Sequence, residues 1–149
     1  MTERRAHLEL IRLISKGDGD SYRRHCAHLD AEGWEGFGEV VGAAFFLAAD
    51  RAFGTNVSTA EVIRFVADAR AEIQDTGFDL DPRAAETLIL AAKTGKPDAL
   101  EKLDQQTIIE NEMLLLWKFL EDLDDTGLDS FLNEVEALVE QWSRDAQLD

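Results

Sequence analysis

TIIENEMLLLWKFLEDL, residues 107–123, carries more apolar side chains than one buried stripe of a helix can use. Met113 to Trp117 are five consecutive apolar residues, and at 3.6 residues per turn they sweep around every side of the cylinder. An ordinary surface helix shows an apolar band only about 100° wide. The run therefore predicts a central helix around 105–124 with cover on more than one face, supplied either by the chain's own helices 1, 3 and 7 or by a second copy. A homodimer would bury Leu115, Trp117 and Phe119, because symmetric pairing is the commonest remedy for exposed apolar surface and interface cores favour aromatics.

Outward from this run, helical punctuation recurs and no alternating stretch makes a persuasive strand. The first helix is expected from about Glu3 to Ser15, with Leu8, Ile11 and Ile14 on one side and Gly17 just past its end. A second, from about Asp20 to Ala31, turns Tyr22, Cys26 and Leu29 inward, and Gly33 and Gly36 then break the chain beside Trp34 and Phe37. The third, Phe37 to Phe53, contains VVGAAFFLAA and is apolar nearly all round, which predicts burial. Its Gly38 and Gly42, at i and i+4, could let another backbone come close.

Ser58 with Glu61 three residues on has capping-box spacing, and Val57 with Val62 has the spacing of a hydrophobic staple. The helix that follows carries Val62, Phe65, Val66, Ala69 and Ile73 as one stripe and ends near Gly77. Asp81-Pro82 starts a fifth helix by the same logic, burying Ala85, Leu88, Ile89 and Ala92 and stopping at Gly95. Pro97 and Asp98 open another segment, and the sequence leaves open whether it joins the long helix. Gly127 is expected to close that helix and Asp129 or Ser130 to open the last, where Leu132, Val135, Leu138, Val139 and Trp142 share a face. Connections are short and no Pro/Gly/Ser-rich linker divides the chain, so the expectation is a single all-α domain over residues 1–149, a bundle of six or seven helices.

A chain of 149 residues can bury roughly 68–70% of its unfolded surface without metals or disulfides. Its single cysteine, Cys26, forms no intrachain disulfide, which favours a reducing, cytoplasmic setting. No apolar run approaches the roughly 20 residues a bilayer requires, so no membrane span is expected. The formal charge is −16, distributed as 9 basic and 13 acidic residues over positions 1–75 against 6 and 18 over positions 76–149. Between Lys118 and Arg144 there is no basic residue but Glu121, Asp122, Asp124, Asp125, Asp129, Glu134, Glu136 and Glu140 all occur. Such a surface repels phosphate backbones and anionic lipid, which excludes direct nucleic-acid binding as a leading reading.

Motifs that carry chemistry are sparse. Asp122-x-Asp124-x-Thr126-Gly127 meets the first demands of a calcium loop, with oxygen ligands at positions 1, 3 and 5 and glycine at 6. The pattern then fails: position 12 is Asn133, with Glu134 one residue late, and a one-residue shift on a helix rotates a ligand by about 100°. Without an ion, the same acids are simply helix caps. His25-Cys26-Ala27-His28 puts two imidazoles at i and i+3, but a zinc site needs further ligands and His7 is the only other histidine. Glu39, Asp50, Glu61 and Asp68 stand near apolar stripes, whereas Glu110 and Glu112 at i, i+2 share no helix face. Neither the Glu-x-x-His motif of di-iron bundles nor a phosphate-binding glycine loop is present, and no cofactor is implied.

Three functional classes remain. The favoured one is a non-enzymatic interaction or regulatory module, offering its acidic C-terminal half to a basic protein partner; one variant mimics nucleic-acid charge in a basic groove. The second is a small-molecule binder or enzyme with a pocket between helices 2, 3 and 6, near Trp34, Phe45 and Trp117. The third is a divalent-cation protein using Asp122, Asp124 and Thr126.

Overall fold

Asp104 decides where the central helix begins, because its carboxylate accepts the Thr107 backbone N–H at 2.7 Å. Hydrogen bonds from Thr107, side chain and backbone, hold that carboxyl below its ordinary range. In chain order the computed structural model forms α1 (Thr2–Ser15), α2 (Gly19–Glu32), α3 (Phe37–Phe53), α4 (Thr59–Ile73), α5 (Pro82–Thr94), a 3-10 segment (Pro97–Lys102), α6 (Gln105–Leu120) and α7 (Asp125–Leu148). It describes residues 2–17, 19–32, 36–54, 56, 58–74, 78–94 and 97–148, without the side chains of 2–4, 19, 26, 28–32, 97, 147 and 148. Among the described residues there are seven α-helices and no strand, which makes the fold an all-α bundle. None of these helices is long and apolar enough to cross a membrane.

Asn111 through Leu116 are all buried, and six consecutive residues cover the whole circumference of α6. Two hydrophobic clusters explain how. Met113 and Leu116 face one cluster, built with Leu10 and Ile11 of α1, Val40 and Val41 of α3, and Phe131 and Val135 of α7. Leu114 and Leu115 face the other, built with Phe45 of α3, Val62 and Val66 of α4, and Leu88 and Ile89 of α5. Phe119, one turn further on, packs against both. The cover on α6 comes from α1, α3, α5 and α4, whereas α7 lies chiefly on α3. Helices 1 and 3 thus behave as expected, and α4 and α5 take the place expected of helix 7. Full burial of Leu115 by its own chain requires no twin subunit.

Local signals set most boundaries. Gly17 sits at φ 72° just past α1, a left-handed position that costs glycine nothing. Ser58 Oγ accepts the Glu61 N–H at 3.1 Å; its staple partner Val57 lies outside the described residues, as do Gly33, Trp34, Gly77 and Gly95. Asp81 Oδ1 accepts the N–H groups of Arg83 and Ala84 at 3.0 and 3.2 Å, capping α5 ahead of Pro82. The segment after Pro97 is a separate 3-10 turn that ends before Asp104.

Four expectations need correction. The inner face of α1 centres on His7, Leu10 and Ile11, with Leu8 and Ile14 only half-buried, because α1 packs on α2, α3 and α6 at once. His7 meets Phe37 edge-on at 5.2 Å between ring centroids. On α3, a Cβ at Gly38 would lie 3.4 Å from Gln105 Nε2, the far end of a flexible side chain, and one at Gly42 would meet nothing within 4 Å, so neither glycine marks a close backbone approach. Phe46 of the same helix is exposed, so burial there is not all round. Finally, Gly127 does not close the long helix. α6 ends at Leu120, and Asp124 caps α7 by accepting the Gly127 N–H at 2.7 Å, which places Gly127 inside the first turn. Burial of Leu128 and Phe131 recruits that turn despite the roughly 1 kcal/mol that glycine costs in a helix.

Candidate functional site

α7 is the longest helix, and its two ends differ. Its first turns are tied to α1: Asp129 pairs with Arg12, and Asp125 with Lys16 at 3.1 Å. Leu128, Phe131, Leu132, Val135 and Val139 then form a buried stripe. Trp142 continues that stripe in register, yet it is 38% exposed where Val135 and Val139 are buried. Around it acids predominate: Glu134, Glu140 and Asp145 are exposed and Glu136 is half-buried, with the exposed Arg144 as the basic residue of α7. An exposed indole on an acidic helix end is an amphipathic contact surface, since tryptophan offers large rigid area at small entropic cost.

The segment proposed as a cation loop has another geometry. Only residues 121–124 link α6 to α7, so Thr126 and Asn133 lie on a helix instead of in a twelve-residue loop. Asp122, Asp124 and Thr126 are all exposed, and one oxygen of Asp124 is already engaged as the cap. Among the described residues, no group of three His, Cys, Asp or Glu side chains is placed to hold a metal ion. His25 Nε2 lies 2.8 Å from the Ala6 carbonyl oxygen, joining α2 to α1, while the side chains of Cys26 and His28 lie outside the described residues.

The middle of α6 holds two buried polar groups: Asn111, which the sequence pattern leaves unmarked, and Glu112, set aside above because it shares no helix face with Glu110. Asn111 is buried with both side-chain polar atoms engaged: its Oδ1 accepts the Asp81 N–H at 2.9 Å and its Nδ2 donates to the Thr107 carbonyl at 2.8 Å. It thereby pins the start of α5 to α6. Glu112 is only 8% exposed, and burial pushes its carboxyl up to about 8, so it is mostly neutral at pH 7. No hydrogen bond or ion pair holds it among the described residues. Its companion Glu110 is exposed and accepts from Gln106, while Glu39, Asp50, Glu61 and Asp68 are all exposed. A carboxylate inside a run of six buried residues was the available signal for Glu112.

The residues expected to meet a partner divide in the same way. Leu115 is fully covered, and Trp117 and Phe119 are half-buried, with the Trp117 indole Nε1 3.9 Å from where a Cβ on Gly17 would stand. Phe45 is buried in the second cluster. Phe119 belongs to a nest of rings from three helices: it stacks on Phe65 at 4.5 Å and takes Phe45 and Phe53 edge-on at 6.0 Å each. Phe53 and Phe65 also meet edge-on at 5.4 Å.

Two clefts flank the exposed Ala52 beside this nest. One, of about 350 Å³, is walled by Phe53 and Phe65 with Glu61, Arg64 and Asp68 on its rim. The other, of about 220 Å³, is lined by Ala48, Ala52, Phe119, Leu120, Leu123 and Phe131, with Arg51 as its one charged lining residue. A third, of about 460 Å³, runs along the end of α4 beneath Phe78. Lys118, beside the nest, binds Glu72 at 2.8 Å and Glu121 at 3.0 Å, and these bonds, Glu72 first, raise its pKa. Comparison with protein-family models, curated proteins and solved structures finds no match for this chain.

Proposed function

We propose that this protein is a non-enzymatic interaction module, working in the cytoplasm, that presents the acidic outer face of α7 to a basic protein partner with Trp142 as the anchor. The observation that carries this reading is the exposure of Trp142 at a helix position whose upstream equivalents are core. Tryptophan is enriched among the few residues that dominate interface energies. The acids at Glu134, Glu136 and Asp145 then supply complementary charge, which speeds encounter and rejects wrong partners more than it adds affinity. Asp125 and Asp129 are engaged with α1, so the partner surface begins one turn beyond them.

The test is a retention experiment on immobilised protein with extract of its own cells, run at about 0.1 M and at about 1 M salt, where the screening length falls from about 10 Å to about 3 Å. Basic proteins retained at low salt should be released at high salt and lost when Trp142→Ala is used in place of the natural chain. Retention that survives both changes would remove the proposal.

A further inference from the structure

The smaller cleft beside Ala52 has a composition unlike the rest of this acidic surface. Its walls come from three helices: Ala48 and Ala52 of α3, Phe119 and Leu120 of α6 with Leu123 just beyond, and Phe131 of α7. Arg51 stands on its rim with its guanidinium 5.7 Å from the centre of the Phe131 ring, an arrangement that orients the cation over the aromatic face. Among the described arginines, Arg12 and Arg23 have carboxylate partners, and the others are exposed without one. Arg51 has none within ion-pairing distance among the described residues.

Three carboxylates close to it or to the cleft in sequence are engaged elsewhere, while Asp122 is exposed. Asp50 is held by Lys93 at 3.0 Å, and Glu121 by Lys118 at 3.0 Å. Asp124 caps α7 through the Gly127 N–H. Among the described residues, a guanidinium without a carboxylate partner therefore stands beside a recess whose other lining side chains are apolar. The recess holds about 220 Å³, the share of roughly seven water molecules at about 30 Å³ each.

We propose that this cleft is a binding site for a small organic monocarboxylate with an apolar body of about seven carbons, aromatic or branched. Arg51 reads the carboxylate through paired N–H donors, a geometry guanidinium provides and ammonium does not. The half-buried Phe119 and Leu123 cover the body over a floor of Leu120 and Phe131. The site is separate from the acidic face of α7 and does not depend on it.

Phenylacetate is a suitable probe, with phenylacetamide as its uncharged counterpart of the same shape. In titrations of isotope-labelled protein followed by amide NMR, phenylacetate should shift the signals of Ala48 to Ala52, Phe119 to Leu123 and Phe131, with millimolar affinity. Phenylacetamide should bind about tenfold more weakly, and Arg51→Gln should weaken phenylacetate by about the same factor, the scale of a lost charge-assisted hydrogen bond. Arg51→Lys should fall between. Ala52→Phe, a change at an exposed position that fills the recess, should abolish binding in a protein whose spectrum is otherwise intact. Equal binding of acid and amide, unchanged binding by Arg51→Gln, or shifts confined to other residues would each overturn the proposal.

Discussion

α6 and α7 follow one another in the chain and are built on opposite plans. α6 turns every side inward, including Asn111 and Glu112, and draws its cover from four other helices. α7 buries a single stripe, keeps its carboxylates outside, and leaves Trp142 part-exposed in register with that stripe. The difference shows what apolar content alone does not say. An apolar excess reports that a helix is enclosed, while a clean amphipathic stripe reports only which way it leans. At Trp142 the stripe becomes surface.

Leu115→Ala should break the comparison most severely, because it removes buried methylene groups from a side chain with no exposure and leaves a cavity between α6, α4 and α5. A loss of about 2–5 kcal/mol is expected in urea unfolding, the range of such core truncations. Trp142→Ala, at a side chain already 38% exposed, should lower the midpoint less than Leu115→Ala does. Equal losses at the two positions would mean that α7 is as enclosed as α6.

Glu112 gives the next largest effect, and its sign follows from where the proton sits. The folded carboxyl titrates near 8 against an ordinary value of 4.5, so the folded state holds an extra proton between those limits. The associated stability is complete below about pH 4.5, declines as pH rises and is gone above about 8, for a total of roughly 5 kcal/mol at most. Glu112→Gln keeps the shape and cannot ionise, so its unfolding midpoint should fall less than that of the natural chain between pH 5 and pH 8.5. Parallel pH profiles would show that the carboxyl is hydrated in the folded state.

The smallest effect belongs to the outside of α7. Lys16→Ala removes the Asp125 pair, whose side chains are 46% and 82% exposed, and should cost about 0–1 kcal/mol, less as salt rises. A larger loss would mark the α1–α7 contact as part of the core.

What could be read from the sequence was local or all-round. Ser58 and Asp81 cap helices because their partners are two or three residues away, and the Met113 to Trp117 run predicts enclosure regardless of which neighbours supply it. Gly127 was misplaced because a glycine after an apolar run resembles a helix end, whereas Asp124, three residues before it, provides the stronger start. The exposure of Trp142 was hidden because periodicity carries no information about how much of a stripe is covered. Asn111 was missed for a similar reason: its partner Asp81 lies 30 residues away and is brought near only by packing. The Arg51 recess depends on α3, α6 and α7 meeting at one corner, which no single segment encodes.

Because α6 serves as the common wall of two hydrophobic clusters, neither half can melt while the other keeps its native lining. Loosening α4 and α5 would strip Leu114 and Leu115, and loosening α1 would strip Met113 and Leu116 from the opposite side. Amides at the centre of α6 should therefore exchange with solvent only through global unfolding, and both ends of the chain should lose protection in a single cooperative step.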